Sequence, residues 1–228
     1  MLVKRFGSAM ADLPAASLMQ RCVAVGTSTW SDTLDRLGAS DCVLDGIPQR
    51  AGHGRIAGPA LTVKLAVGAL GDYPLAEFAV GKFLDVIQPG AVVVVDMGGA
   101  IVSAFGGLAA QRAVGRGAGG VVMDGACRDL AELTASGLWV AARHVTPRSG
   151  KMRLRIAGLN VPVTVGGVQV DPDDWIIADE TGIVRVRAAQ LQEVLERAEE
   201  LEARDKSFAR SLGAGESFSS LATRLHHS

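Results

Sequence analysis

Two short loops hold the residues best suited to chemistry. The first is Asp124-Gly125-Ala126-Cys127-Arg128-Asp129, which follows an apolar run and sets a guanidinium beside a carboxylate. An Arg fork clamps a 2-oxoacid through two parallel hydrogen bonds. A neighbouring carboxylate offers hard oxygen to a divalent cation, with waters completing the coordination. Spacing alone fits equally well an exposed helix-start Asp with an incidental ion pair. The second loop is Phe105-Gly106-Gly107-Leu108-Ala109, ahead of another helical stretch. N–H groups at a helix start have no intrahelical acceptor, and the helix dipole makes that end positive. Two glycines let a carboxylate approach such a backbone closely. By itself this is also the pattern of an ordinary Gly-Gly turn.

These loops need elements to position them. Val92–Val95 is a β-branched run expected of a strand buried on both faces, ending in Asp96. Val121-Val122-Met123 reads as a second such strand, ending in Asp124. Helices are expected from about Leu108 to Arg116 and from about Asp129 to Ser136, the latter closed by Gly137. Right-handed crossovers in this β-α-β-α order bring both strand ends and both helix starts to one sheet edge.

Around this centre, 27–38 reads as a capped helix stopped by Gly38, and 60–65 as a strand entered through Gly58-Pro59. Residues 74–86 read as a helix, and the chain is mainly β up to about 186. A long amphipathic helix then begins near Ala188, with Leu191, Val194, Leu195, Ala198 and Leu201 on one face. The last fifteen or so residues read as a frayed tail, His226 and His227 included. The expected organisation is an N-terminal arm (1–24), an α/β domain (25–186), and a C-terminal helix with tail (187–228).

Composition narrows the partners. A net charge of −1 shows no basic excess, so nucleic acid is not an expected ligand. Cys22, Cys42 and Cys127 form no CxxC pair, which argues against a disulfide framework or a zinc site. No apolar run reaches the roughly 18 residues a membrane helix needs, and the first residues lack a secretory pattern. A cytoplasmic location is the expectation. Cys127 has no His close in sequence, so a nucleophilic thiol is not assigned. His53 and His144 are isolated. Asp96, Asp124, Asp179 and Glu180 are read as residues that tie down turns. No Gly-rich nucleoside-binding fingerprint with a suitably spaced acid is present, so a methyltransferase is not indicated.

A resemblance sharpens the reading. Gly120-Val-Val-Met-Asp124-Gly-Ala-Cys-Arg128-Asp129 resembles the signature G-V-V-x-D-G-x-x-R-D. That signature belongs to a family of metal-dependent pyruvate-releasing aldolases and 2-oxoacid decarboxylases, which also contains the ribonuclease E inhibitor RraA. The spacing back to Gly106 matches that family's substrate loop. Asp32–Gly38, Ala57–Val63, Val161–Val168 and Ala178–Val184 resemble further family segments, in order.

The resemblance implies an α/β fold of the swivelling β/β/α type, with a mixed sheet and a long C-terminal helix, assembled as a homotrimer or homohexamer. It implies that Arg128 binds the pyruvate part of a small 2-oxoacid and that Asp129 ligates Mg²⁺ or Mn²⁺. Backbone amides of Gly106, Gly107, Leu108 and Ala109 would hold the substrate. Acidic groups from an adjacent subunit would complete the site, with Asp32 at one such position and Asp205 matching the other. The implied activity is pyruvate release from a 4-hydroxy-2-oxoacid such as 4-hydroxy-4-methyl-2-oxoglutarate, or decarboxylation of oxaloacetate. One departure stands out: the aldolases place Asp or Glu where this chain has Gly107. Poor aldol cleavage beside surviving decarboxylation is expected, as is a gain in aldol turnover from Gly107→Asp. The alternative function is an RraA-like protein–protein regulator without turnover.

Overall fold

The structure, a computed structural model, describes residues 15–78 and 80–226. Helices α1 (Ala15–Ala24) and α2 (Thr27–Arg36) lead into β1 (Gln49–Ala51) and the long strand β2 (Ile56–Val67). A 3-10 turn (Leu75–Glu77) and α3 (Val80–Asp85) precede β3 (Val92–Asp96), β4 (Ser103–Phe105) and α4 (Gly107–Gly115). Then come β5 (Gly120–Cys127), α5 (Leu130–Ser136), β6 (Val140–Val145) and β7 (Leu154–Leu159). The hairpin β8 (Val163–Val165) and β9 (Val168–Val170) is followed by β10 (Trp175–Ala178) and β11 (Ile183–Val186). The chain closes with α6 (Leu191–Gly213) and α7 (Phe218–His226).

The main sheet is mixed, in the order β1-β6-β5-β3-β2-β10-β11, with β4 beside β5 and β7 beside β2. The strands β2, β3, β5 and β6 run parallel to their neighbours in that series. Their apolar runs are continuous because both faces are covered. Val93, Val95, Val121 and Met123 face a core shared with Phe83, Ala110, Ala113 and Leu133 of helices α3–α5. Val92, Val94 and Val122 face a second core, built with the β8–β9 hairpin and β10. This gives hairpin, sheet and helices as three layers, the expected β/β/α arrangement. A third cluster joins α1, α2 and α6 to β10 and β11, through Trp30, Leu34, Ile177, Val184 and Leu195 among others.

The structure corrects several expected boundaries. The stretch 74–86 is not one helix: Phe78 (φ −70°, ψ 80°) ends the 3-10 turn, and α3 is a separate short piece. The strand β2 spans Ile56–Val67, so Gly58 and Pro59 lie inside it. Likewise β5 does not stop at Asp124 but continues to Cys127. The C-terminal stretch is helical over Phe218–His226, where Phe218 stacks edge-on against Phe208 and Leu221 is buried. Residues 1–14 of the expected arm, and His227, lie outside the described residues.

Of the four acids read from the sequence as tying down turns, Asp96, Asp124 and Asp179 are buried and also tie distant segments together, whereas Glu180 is exposed. Asp96 accepts from Lys64 Nζ (2.5 Å), Gly98 N (3.0 Å) and Thr164 N (3.0 Å). Asp124 accepts from Arg143 Nε (2.5 Å) and Gly166 N (3.0 Å). The hairpin is thereby hooked to the ends of two parallel strands. Asp179 accepts from Thr27 Oγ1 (2.6 Å), Thr27 N (3.1 Å) and Thr181 N (2.9 Å), joining the β10–β11 turn to the start of α2. Burial opposes its charged form, but the hydrogen bonds from Thr27 and the turn amides outweigh burial and hold its carboxyl below the usual range.

A carboxyl whose folded-state pKa is lowered adds stability that is complete above its unfolded value, about 3.9, and lost as pH falls through the folded value. Asp179→Ala is therefore expected to cost about 3 kcal/mol at neutral pH, because it leaves buried donors unpaired. Denaturant unfolding across an acid titration should show the gap between wild type and variant narrowing as pH falls. A gap independent of pH would count against this account.

Candidate active site

The carboxyl end of β5 organises the site. A register irregularity between Met123 and Ala126 lets the strand run past Asp124 and keep pairing. Ala126 and Cys127 then lie against Ser103 and Phe105 of β4 on one side, and against His144 and Val145 of β6 on the other. The Arg128 N–H donates to the Phe105 carbonyl (3.0 Å). The two loops singled out in the sequence are thus stitched to each other at the backbone.

Asp129 precedes α5 in an unusual conformation. Its φ of 58° and ψ of 49° are left-handed, a region that costs a non-glycine residue about 1 kcal/mol and that Asp tolerates better than most. An N-cap residue ordinarily has extended backbone, which turns its side chain onto the amides of its own helix. Asp129 makes no such cap bond. Its Oδ2 instead reaches across to α4, accepting from Gly107 N (3.1 Å) and lying 3.4 Å from Arg128 Nε. The approach is so close that a Cβ on Gly106 would overlap Asp129 Oδ2 and sit 3.1 Å from Arg128 Cγ.

Arg128 and Asp129 line a cavity of about 290 Å³ together with Gly106, Leu108 and Ala109. Phe78, Val80 and Leu84 give the lining an apolar part, and Ser149 and Lys151 add polar groups to it. Arg128 and Asp129 are each about two-fifths exposed, open to a ligand. Among the described residues, the Gly106, Leu108 and Ala109 amides have no acceptor and Lys151 has no carboxylate partner. Two cations, three free amides and one carboxylate around a partly apolar cavity suit a small anion.

The expected residues fare differently. Gly106, Leu108, Ala109, Arg128 and Asp129 converge on the cavity. The Gly107 amide is already engaged by Asp129, which leaves the Gly106, Leu108 and Ala109 amides free in the predicted cradle. Gly107 has no positive φ, yet a Cβ there would lie 2.7 Å from Glu132 Cβ, so the space for an added carboxylate is filled. Asp32 and Asp205 are exposed on α2 and α6 and do not line the cavity of their own chain. Both sit on helices of the layer over β10 and β11. Cys127 is fully buried, and burial pushes its thiol up, so it is not a nucleophile.

Sequence reasoning missed Ser149 and Lys151. They arrive because the Arg148 carbonyl accepts from Ser103 N (2.9 Å), laying that loop along β4. No local pattern signals this.

Among the described residues, no group of three or more His, Cys, Asp or Glu side chains is placed to hold a metal. A cation here would have Asp129 as its protein ligand. Its Oδ1 makes no hydrogen bond, and Oδ2 makes one. That donor set fits a hard cation that keeps several waters and takes substrate oxygens, as Mg²⁺ and Mn²⁺ do. Asp129→Gly provides a test. Glycine relieves the left-handed strain by about 1 kcal/mol and loses one partly buried hydrogen bond of about the same worth. Unfolding free energy should therefore change by less than about 1 kcal/mol, while Mn²⁺ binding followed by electron paramagnetic resonance is lost. Retained binding would remove Asp129 from the metal site.

Comparison with known proteins places the geometry in context. Residues 27–185 match the RraA-like family, described as Aldolase/RraA. A protein of Halalkalibacterium halodurans, provisionally named 4-hydroxy-4-methyl-2-oxoglutarate aldolase, is 30% identical over 82% of this chain and 85% of its own. The crystal structure of Streptomyces coelicolor RraAS2, described as an unusual member of the RNase ES inhibitor RraA family, superposes with a TM-score of 0.77 at 26% identity, covering 87% of this chain and 99% of that one. An uncharacterised protein from Pseudomonas syringae pv. tomato shares the fold, with a TM-score of 0.81 at 24% identity over 91% and 98% of the two chains. With its two signature loops stitched around one cavity and the family match running through both, this chain belongs to the RraA-like family.

Proposed function

We propose that the protein is a divalent-metal-dependent lyase that releases pyruvate from a small 2-oxoacid. The observation that carries this reading is the convergence of Arg128, Asp129 and the free amides at the start of α4 on one cavity. The name of the Halalkalibacterium relative points the same way. The substrate class is a 4-hydroxy-2-oxoacid of the 4-hydroxy-4-methyl-2-oxoglutarate type, or oxaloacetate.

In this reading Arg128 clamps the carboxylate next to the 2-oxo group through its planar fork. The Leu108 and Ala109 amides orient the same end of the substrate. Lys151, without a partner of its own, meets the distal carboxylate that both substrates carry. Phe78, Val80 and Leu84 exclude water from that side of the cavity. Asp129 holds Mg²⁺ or Mn²⁺, which when bound supplies electron withdrawal at the 2-oxo oxygen. As the C3–C4 bond breaks, its electron pair moves into the developing pyruvate enolate. Arg128 lies where that charge accumulates, which is where a fixed donor lowers the barrier most. Assembly into trimers or hexamers would bring Asp32 and Asp205 of a neighbour towards the cavity mouth.

A second reading is a binding protein without turnover. It is favoured by the absence of a carboxylate at Gly107 and by the likeness to RraAS2. A pyruvate-release assay with oxaloacetate and a panel of 4-hydroxy-2-oxoacids separates the two. Activity should vanish in EDTA and return with Mg²⁺ or Mn²⁺. Arg128→Lys keeps the charge but loses the fork, so oxalate inhibition should weaken by about tenfold or more, the loss of one charge-assisted hydrogen bond. Undiminished activity in EDTA, or an unchanged oxalate inhibition constant, would overturn the corresponding part of the mechanism.

A further inference from the structure

Strand β11 lies at one end of the main sheet and is buried at each position, Ile183-Val184-Arg185-Val186. Three of these residues are apolar. The other is an arginine only 9% exposed. Burying a cation is costly unless its donors are satisfied. Arg185 satisfies one of its five N–H groups, from Nη2 to the Asp41 carbonyl (3.0 Å). Its Nε is sealed from solvent with no hydrogen-bond partner. Asp174 Oδ2 stands 4.0 Å from that Nε, beyond hydrogen-bond reach. Both Asp174 oxygens already accept from backbone amides, those of Asp171 and Ala188. The guanidinium is thus held in place with most of its donors unused.

Arg185 lines a cavity of about 310 Å³ that shares no residue with the one at Arg128. Residues two apart in an extended chain share a face. Arg187, which keeps extended backbone (φ −62°, ψ 136°), accordingly joins Arg185 in the lining. Gln190 enters from the turn before α6, and Ser40 and Asp41 from the loop after α2. Among the described residues, the Arg187 and Gln190 side chains, the Ser40 hydroxyl and the amides of Ser40 and Asp41 have no hydrogen-bond partner. Asp41 is the one carboxylate of the lining, against two guanidiniums.

We propose that this cavity binds a small phosphate-bearing anion, either inorganic phosphate or the phosphate monoester of a compact polar alcohol. The planar forks of Arg185 and Arg187 match pairs of phosphate oxygens. A tetrahedral dianion has oxygens enough to engage both forks and the loop amides together, whereas a carboxylate has two. Its double charge also outweighs the repulsion from Asp41. The cavity is larger than the bare ion, which leaves room for the alcohol part beside Gln190 and Ser40. The site draws on the end of α2, on β11 and on the turn into α6, so a bound ligand would join these segments.

Calorimetric titration of the full chain at physiological salt, with inorganic phosphate and separately with glycerol phosphate, tests this. Saturable binding with a Kd below about 1 mM is expected. Tighter binding of glycerol phosphate assigns the site to monoesters, and equal binding assigns it to free phosphate; both support the proposal. Arg187→Gln removes an exposed guanidinium that has no protein partner, so the melting temperature should hold while Kd rises about tenfold. Arg185→Lys keeps the charge, loses the fork and should weaken binding by a similar factor, about tenfold. Arg128→Gln, in the other cavity, and Arg210→Gln, at an exposed position of α6, should each leave Kd within about twofold. Absence of saturable binding of either probe to the wild type would overturn the proposal. So would a Kd unmoved by Arg187→Gln, or one raised as much by Arg128→Gln or Arg210→Gln, since binding would then lie at the first cavity or follow surface charge alone.

Discussion

The parallel pairing of β3 with β5 is the constraint on which the rest of the molecule depends. It aligns Val92 with Gly120 and Asp96 with Asp124, so both strands deliver their following loops to the same edge. Each loop then opens a helix, and the two helix starts come to lie side by side. That neighbourhood allows Asp129, at the head of one helix, to bond the first amide of the other. Slipping the pairing by one residue would move every side chain of a strand to the opposite face. The apolar runs on both faces, and the carboxylates at the strand ends, forbid such a slip.

Much of this was legible in the sequence, because the signals were local and strong. The Val92–Val95 run, the Gly137 stop and the spacing from Gly106 to Arg128 all reported correctly on the elements that hold them. The long helix near Ala188 was legible too, from its apolar stripe. What escaped depends on contacts between distant segments. The extension of β5 past Asp124 rests on pairing with β4 and β6, which a strand's own residues do not announce. Ser149 and Lys151 reach the cavity through a backbone bond to Ser103. The crowding of Gly107 by Glu132 is a tertiary contact between two helices, so no rule about the loop alone would find it.

The carboxylates fall into two kinds. Asp96, Asp124 and Asp179 are buried and surrounded by donors, and their charge is used to hold loops in place. Asp129 and Glu132 are more exposed and carry few bonds, and Asp129 accepts backbone strain to remain so. Strain kept at an open carboxylate, beside tightly bonded ones elsewhere, is the distribution expected when a group is held for a ligand rather than for the fold.

The alternation along β3 has a consequence for how this protein can change. Val93 and Val94 are covalent neighbours, yet one belongs to the core beneath the helices and the other to the core beneath the hairpin. At β3 the sheet is the shared wall between these two of the three core clusters. Variation can accumulate in the compartment bearing the cavity without disturbing the other, which is how a single scaffold acquires different ligands over evolutionary time. Substitutions at these two adjacent valines should accordingly act as if they were far apart, with a coupling energy below about 0.5 kcal/mol in a double-mutant cycle.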